Sequence, residues 1–374
     1  MGDLRVWHDG PLPEGVRASA QRLADSDNAR HVALMPDAHL AEDVCVGAVR
    51  ATSGTLYPSA VGGDIGCGMA AVAFDIEAQA VTDARVAARI LSAFGARVPF
   101  ARHRRAAFPS LPQTLRERCL SSPELEAVRC REAEMQLGTL GSGNHFIELQ
   151  ADEGGRLWLM LHSGSREIGP AIRDHHLRRC HVGRLGLRFL EAESEAGRCY
   201  LADVQWALDY ADASRRQMVE AVADALGGVA RAVPLWDTIA TCHHNHVRQE
   251  THASETLWVH RKGAIPAGAG AVGLVPGSMA TFSVHVVGLG NAAALGSCAH
   301  GAGRRLSRTA ARHQVSIAQL GRETIGVFFD HRLARSLREE APSAYKDLTH
   351  VLRAQHDLAR VIRRLRPVLV YKGI

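Results

Sequence analysis

The sequence predicts an α+β (mixed α/β) fold, a single large domain over residues 1–374 with central β-sheets flanked by helices. Three observations predict it. Short apolar runs of strand length recur along the whole chain. Segments with helical periodicity fall between them without strict βαβ alternation, which argues against a doubly wound parallel sheet. No Pro/Ser linker, internal repeat or low-complexity tract divides the chain.

Strands are expected at 31–36, 47–52, 70–76, 157–163, 256–263, 282–288 and 367–373, each a run rich in Val, Ala, Leu or aromatic residues bounded by Gly, Pro or polar positions. Helices are expected near 83–94, 123–136, 170–193, 203–231 and 344–366. The last has the clearest pattern. Leu348, Val351, Leu352, Leu358, Val361, Ile362 and Leu365 share one helical face, and Pro367 stops the run. Its arginines, at 353, 360, 363, 364 and 366, read as a solvated helix face.

Apolar residues make up 46% of the chain and the formal net charge is +5. This mild basic excess is compatible with a nucleic-acid substrate and does not require one. No stretch approaches the about 18–20 apolar residues of a membrane span, and the start carries no signal-peptide run. A cytoplasmic, non-membrane protein is therefore expected, with its eight cysteines reduced. They form no CxxC pair, so neither a disulfide framework nor a zinc knuckle is expected. Twenty histidines invite a search for metal ligands.

Six segments hold the candidates, most of them glycine-rich loops. In VGGDIGCGM (61–69), Asp64 and Cys67 sit three apart where a sharp turn can aim a carboxylate and a thiolate at one centre. Alone, the commoner meaning is a glycine turn with a capping Asp and a buried Cys. In LGTLGSGNHFIEL (137–149), His145 enters a strand-like segment. In LMLHSGSREIG (159–169), His162 ends an apolar strand. CHHNHVRQE (242–250) offers His243, His244 and His246, of which adjacent strand residues face opposite ways. One carboxylate, one thiolate and at least three imidazoles suit Mn²⁺ or Zn²⁺ better than Mg²⁺ or Ca²⁺, which favour oxygen shells. In SCAHGAGRRLSR (297–308), His300 precedes glycines whose amides can approach phosphate, and Arg304 and Arg308 are spaced one helical turn apart. Its bland alternative is a helix start with an incidental His. LVPGSMATFSV (274–284) offers a Pro-Gly-Ser turn. No GxxxxGK[ST] and no GxGxxG after a strand is present, so a nucleotide site here is of another design.

MPDAH (35–39), VGGDIGCGM, GSGNHFIE, LHSGSR, HHN, HRKGA, PGSM, HGAGR followed by SR, AYKD and a late KG occur in that order. From about residue 31 onward the chain resembles the RtcB family of 3′-phosphate RNA ligases, and an RtcB-like topology is implied. The resemblance implies an enzyme of RNA repair or tRNA splicing. Such an enzyme joins a 3′-phosphate or 2′,3′-cyclic phosphate end to a 5′-hydroxyl, with GTP and two Mn²⁺ ions. It maps metal ligands onto Asp64, Cys67, His145, His162 and His244, with Cys67 bridging the ions. The nucleophile maps to His300, which takes GMP from GTP, and Asp37 orients its ring. Guanylate contacts map to Asn144, Glu148, Asn245, Pro276, Gly277, Ser278, Met279, Ser283, Ala302, Gly303, Tyr345 and Lys372, with His300 among them. RNA phosphates are assigned to Arg166, Lys262, Arg304 and Arg308. An activating accessory protein is an admissible partner.

Two departures from the family pattern bear on substrate choice. LAEDVCV (40–46) stands where relatives carry a Gly-rich stretch, and Ser214 precedes Arg215 where Asn is typical. Both are expected near the RNA approach. They motivate an alternative, a specialised paralogue that caps 3′-phosphates with GMP or repairs one damaged RNA. A metal-dependent RNA-binding protein without turnover and a generic metallohydrolase are further readings, disfavoured by the intact nucleophile loop and by Lys372.

Overall fold

Two large sheets face one another, and a helical layer covers the outer face of the larger one. This computed structural model describes residues 2–104 and 108–373. The larger sheet has seven strands in the order Pro234–His243, Gly68–Glu77, Arg156–Ser163, Phe146–Asp152, Ala359–Tyr371, Ser283–Gly288 and Val272–Val275. Every neighbouring pair in it is antiparallel. The smaller sheet has five strands in the order Asp3–Val6, Ala29–His39, Val46–Thr52, Glu255–Lys262 and Asn245–His252. Only its first pair is parallel.

The Gly68–Glu77 strand shows why the sequence settles this way. Side chains alternate across a pleated strand. Met69, Ala71 and Ala73 point to the core shared with Ala33, Met35, Val49 and Val259 of the smaller sheet. Ala70, Val72 and Phe74 point to the other face, where the helices Ala84–Arg97 and Glu195–Ala230 supply Ile90, Phe94, Met218, Val222 and Leu226. A strand buried on both faces reads as a continuous apolar run. Each fully buried Leu, Ile or Phe contributes roughly 1.5–3 kcal/mol. A third cluster joins the helices Pro123–Gln136 and Ile168–Arg179 to the N-terminal half of the long helix.

The fold is therefore the mixed α+β arrangement expected, and all seven expected strands lie on strands of the two sheets. Three helical expectations need correction. The segment 344–366 is not one helix. It is a short helix, Leu348–Ala354, followed by the strand Ala359–Tyr371. The helix stops where Gln355 turns its side-chain oxygen to the Ala299 amide. Beyond it the segment pairs on both sides with neighbouring strands, which outweighs the apparent helical face. Pro367 is tolerated because the ladder slips beside it. The helix expected over 170–193 ends at Arg179, because Gly183 and Gly186 break it into a small hairpin. The long helix begins earlier than expected, at Glu195, where Ser194 accepts a hydrogen bond from the Gly197 amide. Among the described residues no helix is long and apolar enough to cross a membrane.

Candidate active site

The ends of the central strands open into a cavity of about 820 Å³. Five donor side chains converge at its base. Cys67 Sγ lies 3.1 Å from His162 Nε2 and 3.5 Å from His145 Nε2. His162 Nε2 is 3.3 Å from His244 Nε2, and His145 Nε2 is 3.0 Å from the Asp64 carboxylate. Two groups able to hold a metal ion result, Cys67–His162–His244 and Asp64–Cys67–His145, with Cys67 common to both. Thiolate, imidazole and carboxylate donors converging in this way are a set able to hold a transition-metal ion.

The local structure aims these donors. His145 Nδ1 lies 2.9 Å from the Leu140 carbonyl, and His162 Nδ1 lies 2.9 Å from the Asn144 carbonyl. Each Nδ1–H thus donates to backbone, leaving the Nε2 lone pair turned inward, as metal-binding imidazoles require. Gly66 carries the Asp64–Cys67 turn at φ +71°, and a Cβ there would meet Ala211 and the backbone of Leu208. A side chain at Gly66 would push the loop off the helix beneath it. His243 faces away from the site toward Asp212, as strand alternation demands, while His246, on the separate strand that begins at Asn245, faces Arg261.

Burial sets the protonation states. Burial would raise the Asp64 carboxyl, but the adjacent His145 outweighs it and holds the group at about 2. Burial, then charge from neighbouring imidazoles, keeps His162 and His244 well below the usual histidine range, so both are neutral and able to ligate. Burial, with Asp64 adding to it, pushes the Cys67 thiol far up. A cation held here would favour the thiolate over this thiol, with loss of a proton on binding. The donor set fits two borderline transition-metal ions sharing one thiolate.

His300 stands beside this group, its ring centroid 4.8 Å from that of His244. Its Nδ1 lies 2.6 Å from Asp37 Oδ2, which also accepts the amides of His300 and Gly301. Asp37 is fully buried. The carboxylate fixes the ring so that Nε2 carries the free lone pair. Glycine at 303 is obligatory, because a Cβ would lie 2.2 Å from the Asp37 carbonyl and φ there is +75°.

Asn144, Glu148, Asn245, Pro276, Gly277, Ser278, Met279, Ala302, Gly303, Tyr345 and Lys372 line the same cavity. Ser283 stands behind it, bonded to Gln150 and to the Gly277 amide. Burial pushes the Glu148 carboxyl up to about 7, against the lowering effects of Gln150 and Lys372. Lys372 Nζ lies 3.2 Å from Glu340, which also binds Arg304 and Tyr345.

The basic residues divide. Arg308 is half exposed and lines the cavity. Lys262 lines it too, with its ammonium donating to the Val44 carbonyl. Arg304 also lines the cavity, but its guanidinium is engaged by Glu340, Tyr345 and the Glu339 carbonyl. Arg304 and Arg308 do not share a helix, because the helix starts only at Arg308. Arg166 lies outside the cavity lining and binds Thr139 and the Phe100 carbonyl. Ser214 is fully buried and accepts the Gly138 amide, so this departure lies inside the scaffold and not on an RNA approach. Leu40, Ala41 and Glu42 of the other departure do line the cavity. So do His39, Arg173, Arg305 and Glu340, which the sequence reading passed over. Of these, His39 was findable, two residues beyond Asp37 on the same strand; burial lowers its ring to about 4, keeping it uncharged beside the Asp37–His300 pair.

A family model described as tRNA-splicing ligase RtcB matches residues 20–125 and 110–373. The RNA-splicing ligase RtcB of Escherichia coli strain K12 is 36% identical, covering 92% of this chain and 90% of its own. The RNA-splicing ligase RtcB2 of Escherichia coli strain ATCC 25922 is 30% identical, with coverage of 94% and 90%. The tRNA-splicing ligase RtcB of Pyrococcus furiosus is 32% identical over 68% of this chain and 31% of its own.

Proposed function

The chain belongs to the RtcB family, and from that premise we propose that it is an RNA ligase. In this reading it joins a 3′-phosphate or 2′,3′-cyclic phosphate end to a 5′-hydroxyl end, using GTP and Mn²⁺. The observation that carries it is the Asp37–His300 pair, set against the shared-cysteine donor group inside one cavity.

Asp64, Cys67, His145, His162 and His244 would hold two divalent ions. When bound, they would neutralise charge on the phosphoryl group being transferred. The rest falls to the protein. Asp37 holds the proton on His300 Nδ1 and stabilises the positive ring as its Nε2 bonds to phosphorus. In the first step an N–P bond forms at the α-phosphorus of GTP and the bond to pyrophosphate breaks. A 2′,3′-cyclic end is first hydrolysed to the 3′-phosphate; that phosphate takes the guanylate as the N–P bond to His300 breaks, and the 5′-hydroxyl then attacks the activated 3′-phosphorus, forming the phosphodiester and releasing GMP and a proton. Glu148 can accept the N–H groups of a guanine edge, and Lys372 can donate to its carbonyl. Arg308 and Lys262 stand where RNA phosphates would enter.

Incubation with α-labelled GTP and Mn²⁺ should place an acid-labile label on the protein. His300→Ala should abolish it. Asp37→Asn should slow it by roughly 10²–10⁴-fold, because the ring tautomer is no longer fixed. An unlabelled wild-type protein would sink the proposal.

A further inference from the structure

The metal loops come from four distant parts of the chain, and the proposed donor geometry depends on their being locked together. Some locking is backbone to backbone. The His244 amide donates to the Cys67 carbonyl at 2.9 Å, and the Gly66 amide donates to the Asn245 carbonyl at 2.9 Å. The segment carrying His162 is held to that carrying Cys67 by the sheet ladder, with Gly68 opposite Ser163 and Met69 opposite His162. A side chain then ties the residues flanking the donors together beyond the ladder's end.

That side chain is Arg215, on the long helix and 1% exposed. Its Nη1 donates to the Gly66 carbonyl at 2.7 Å and to the Ser163 carbonyl at 2.8 Å. Gly66 immediately precedes Cys67, and Ser163 immediately follows His162. Its Nη2 lies 2.6 Å from Asp212 and 3.3 Å from His243 Nε2, and His243 precedes His244. Asp212 in turn receives the His243 ring at 2.9 Å. One guanidinium therefore touches the residue adjoining each member of the Cys67–His162–His244 group. The preceding helix residue, Ser214, holds the Gly138 amide, at the start of the loop whose Leu140 carbonyl receives His145 Nδ1.

We propose that Arg215 is a positioning residue for the metal pair, helping to set the separation of Cys67, His162 and His244 through its bonds to the Gly66 and Ser163 carbonyls and, by way of Asp212, to His243. A planar guanidinium can serve two carbonyls and a carboxylate at once in fixed directions, which an ammonium cannot. The inference rests on the metal-binding part of the function proposed above and not on ligation.

The test uses Co²⁺ alone, without GTP or RNA, on the full-length protein. Wild type should show a thiolate-to-cobalt charge-transfer band that titrates to saturation. Arg215→Lys should keep its far-UV circular dichroism but bind Co²⁺ about 10–100-fold more weakly, with altered d–d bands, as loss of an outer support does. A purely structural role would lower Tm while leaving cobalt affinity and spectrum unchanged; that result overturns the proposal. Should Arg215→Lys fail to fold, Asp212→Asn decides. Asp212 is half exposed, so this variant removes the carboxylate that joins Nη2 to His243 while leaving the direct bonds of Arg215 to the Gly66 and Ser163 carbonyls in place. Weaker cobalt binding supports the proposal, and wild-type affinity with wild-type bands overturns it. Failure of GTP labelling would count against the ligase reading and leave this result untouched.

Discussion

The two walls of the cavity are built on opposite principles. At the wall of candidate metal donors every donor sits at a strand end or in a tight turn, all but the partly exposed Asp64 buried, with its far nitrogen or its adjoining backbone held. At the phosphate rim, Arg308 is half exposed and its ion pairs with Glu339 and Glu340 are long, 3.7 and 4.0 Å. The contrast follows from the ligands. A metal ion requires donors placed within tenths of an ångström, whereas a polyanion is attracted over a Debye length of about 10 Å. Rigidity is concentrated where the chemistry needs it, and the rim is left adjustable.

The largest effect should come from the one atom both metal groups share. Cys67→Ala removes a donor from each group at once, so metal content after dialysis should fall from two ions to none. Losing a support behind a ligand costs about 10–100-fold in affinity, and losing the ligand itself should exceed that. His145→Ala should spare the Cys67–His162–His244 group and leave one ion. Retention of two ions by Cys67→Ala, measured by elemental analysis, would show that the wall is not organised around this sulfur.

Between the walls lies Glu148, and pH separates its two roles. Its folded value, about 7, is above the ordinary 4.5, so the fold favours the protonated acid. Stability from this group is full below about pH 4.5 and is lost as pH rises toward 7. The loss is on the order of a few kcal/mol. Glu148→Gln should therefore raise Tm at pH 8 and change it little at pH 4.5. The same variant should weaken guanine nucleotide binding, because an amide cannot accept two N–H groups as a carboxylate does. A Tm gain equal at both pH values would show that this carboxyl is not buried uncompensated.

The metal wall was legible in the sequence because its requirements are local. A glycine turn, a donor and a strand end lie within a few residues of one another at Asp64–Cys67, His145 and His162. The rim was not, because the partner that decides what an arginine does is remote in sequence. Arg304 and Arg308 look equivalent in HGAGRRLSR, yet Glu340, 36 residues beyond Arg304, takes one guanidinium inward and leaves the other largely outside. The same reason explains the strand read as a helix. Val361, Leu365 and Leu369 satisfy several periodicities, and only pairing with Ser283–Gly288 and Phe146–Asp152 selects one. The core strands were legible for the converse reason, since burial on both faces leaves no polar position to blur the run.

The smallest effects should come from the rim, and there the two arginines separate. Arg308→Ala removes one exposed charge. RNA affinity should fall less than about tenfold, and the slope of log affinity against log salt should drop by about one. Labelling of His300 by GTP should be unchanged when RNA is absent. Arg304→Ala should behave as a core lesion instead. It breaks a buried pair with Glu340, 5% exposed, and leaves that carboxylate with Tyr345, Lys372 and the more distant Arg308. Such losses cost about 3–5 kcal/mol, so Tm should fall markedly while the salt slope stays as in wild type. Lys372 would then be drawn more tightly to Glu340, and GTP labelling should weaken through a higher KM for the nucleotide. If Arg304→Ala instead reproduced Arg308→Ala, with an intact Tm and a reduced salt slope, both guanidinium groups would belong to the rim. The division between a fixed wall and an adjustable one would then lie deeper in the cavity, at His300 itself.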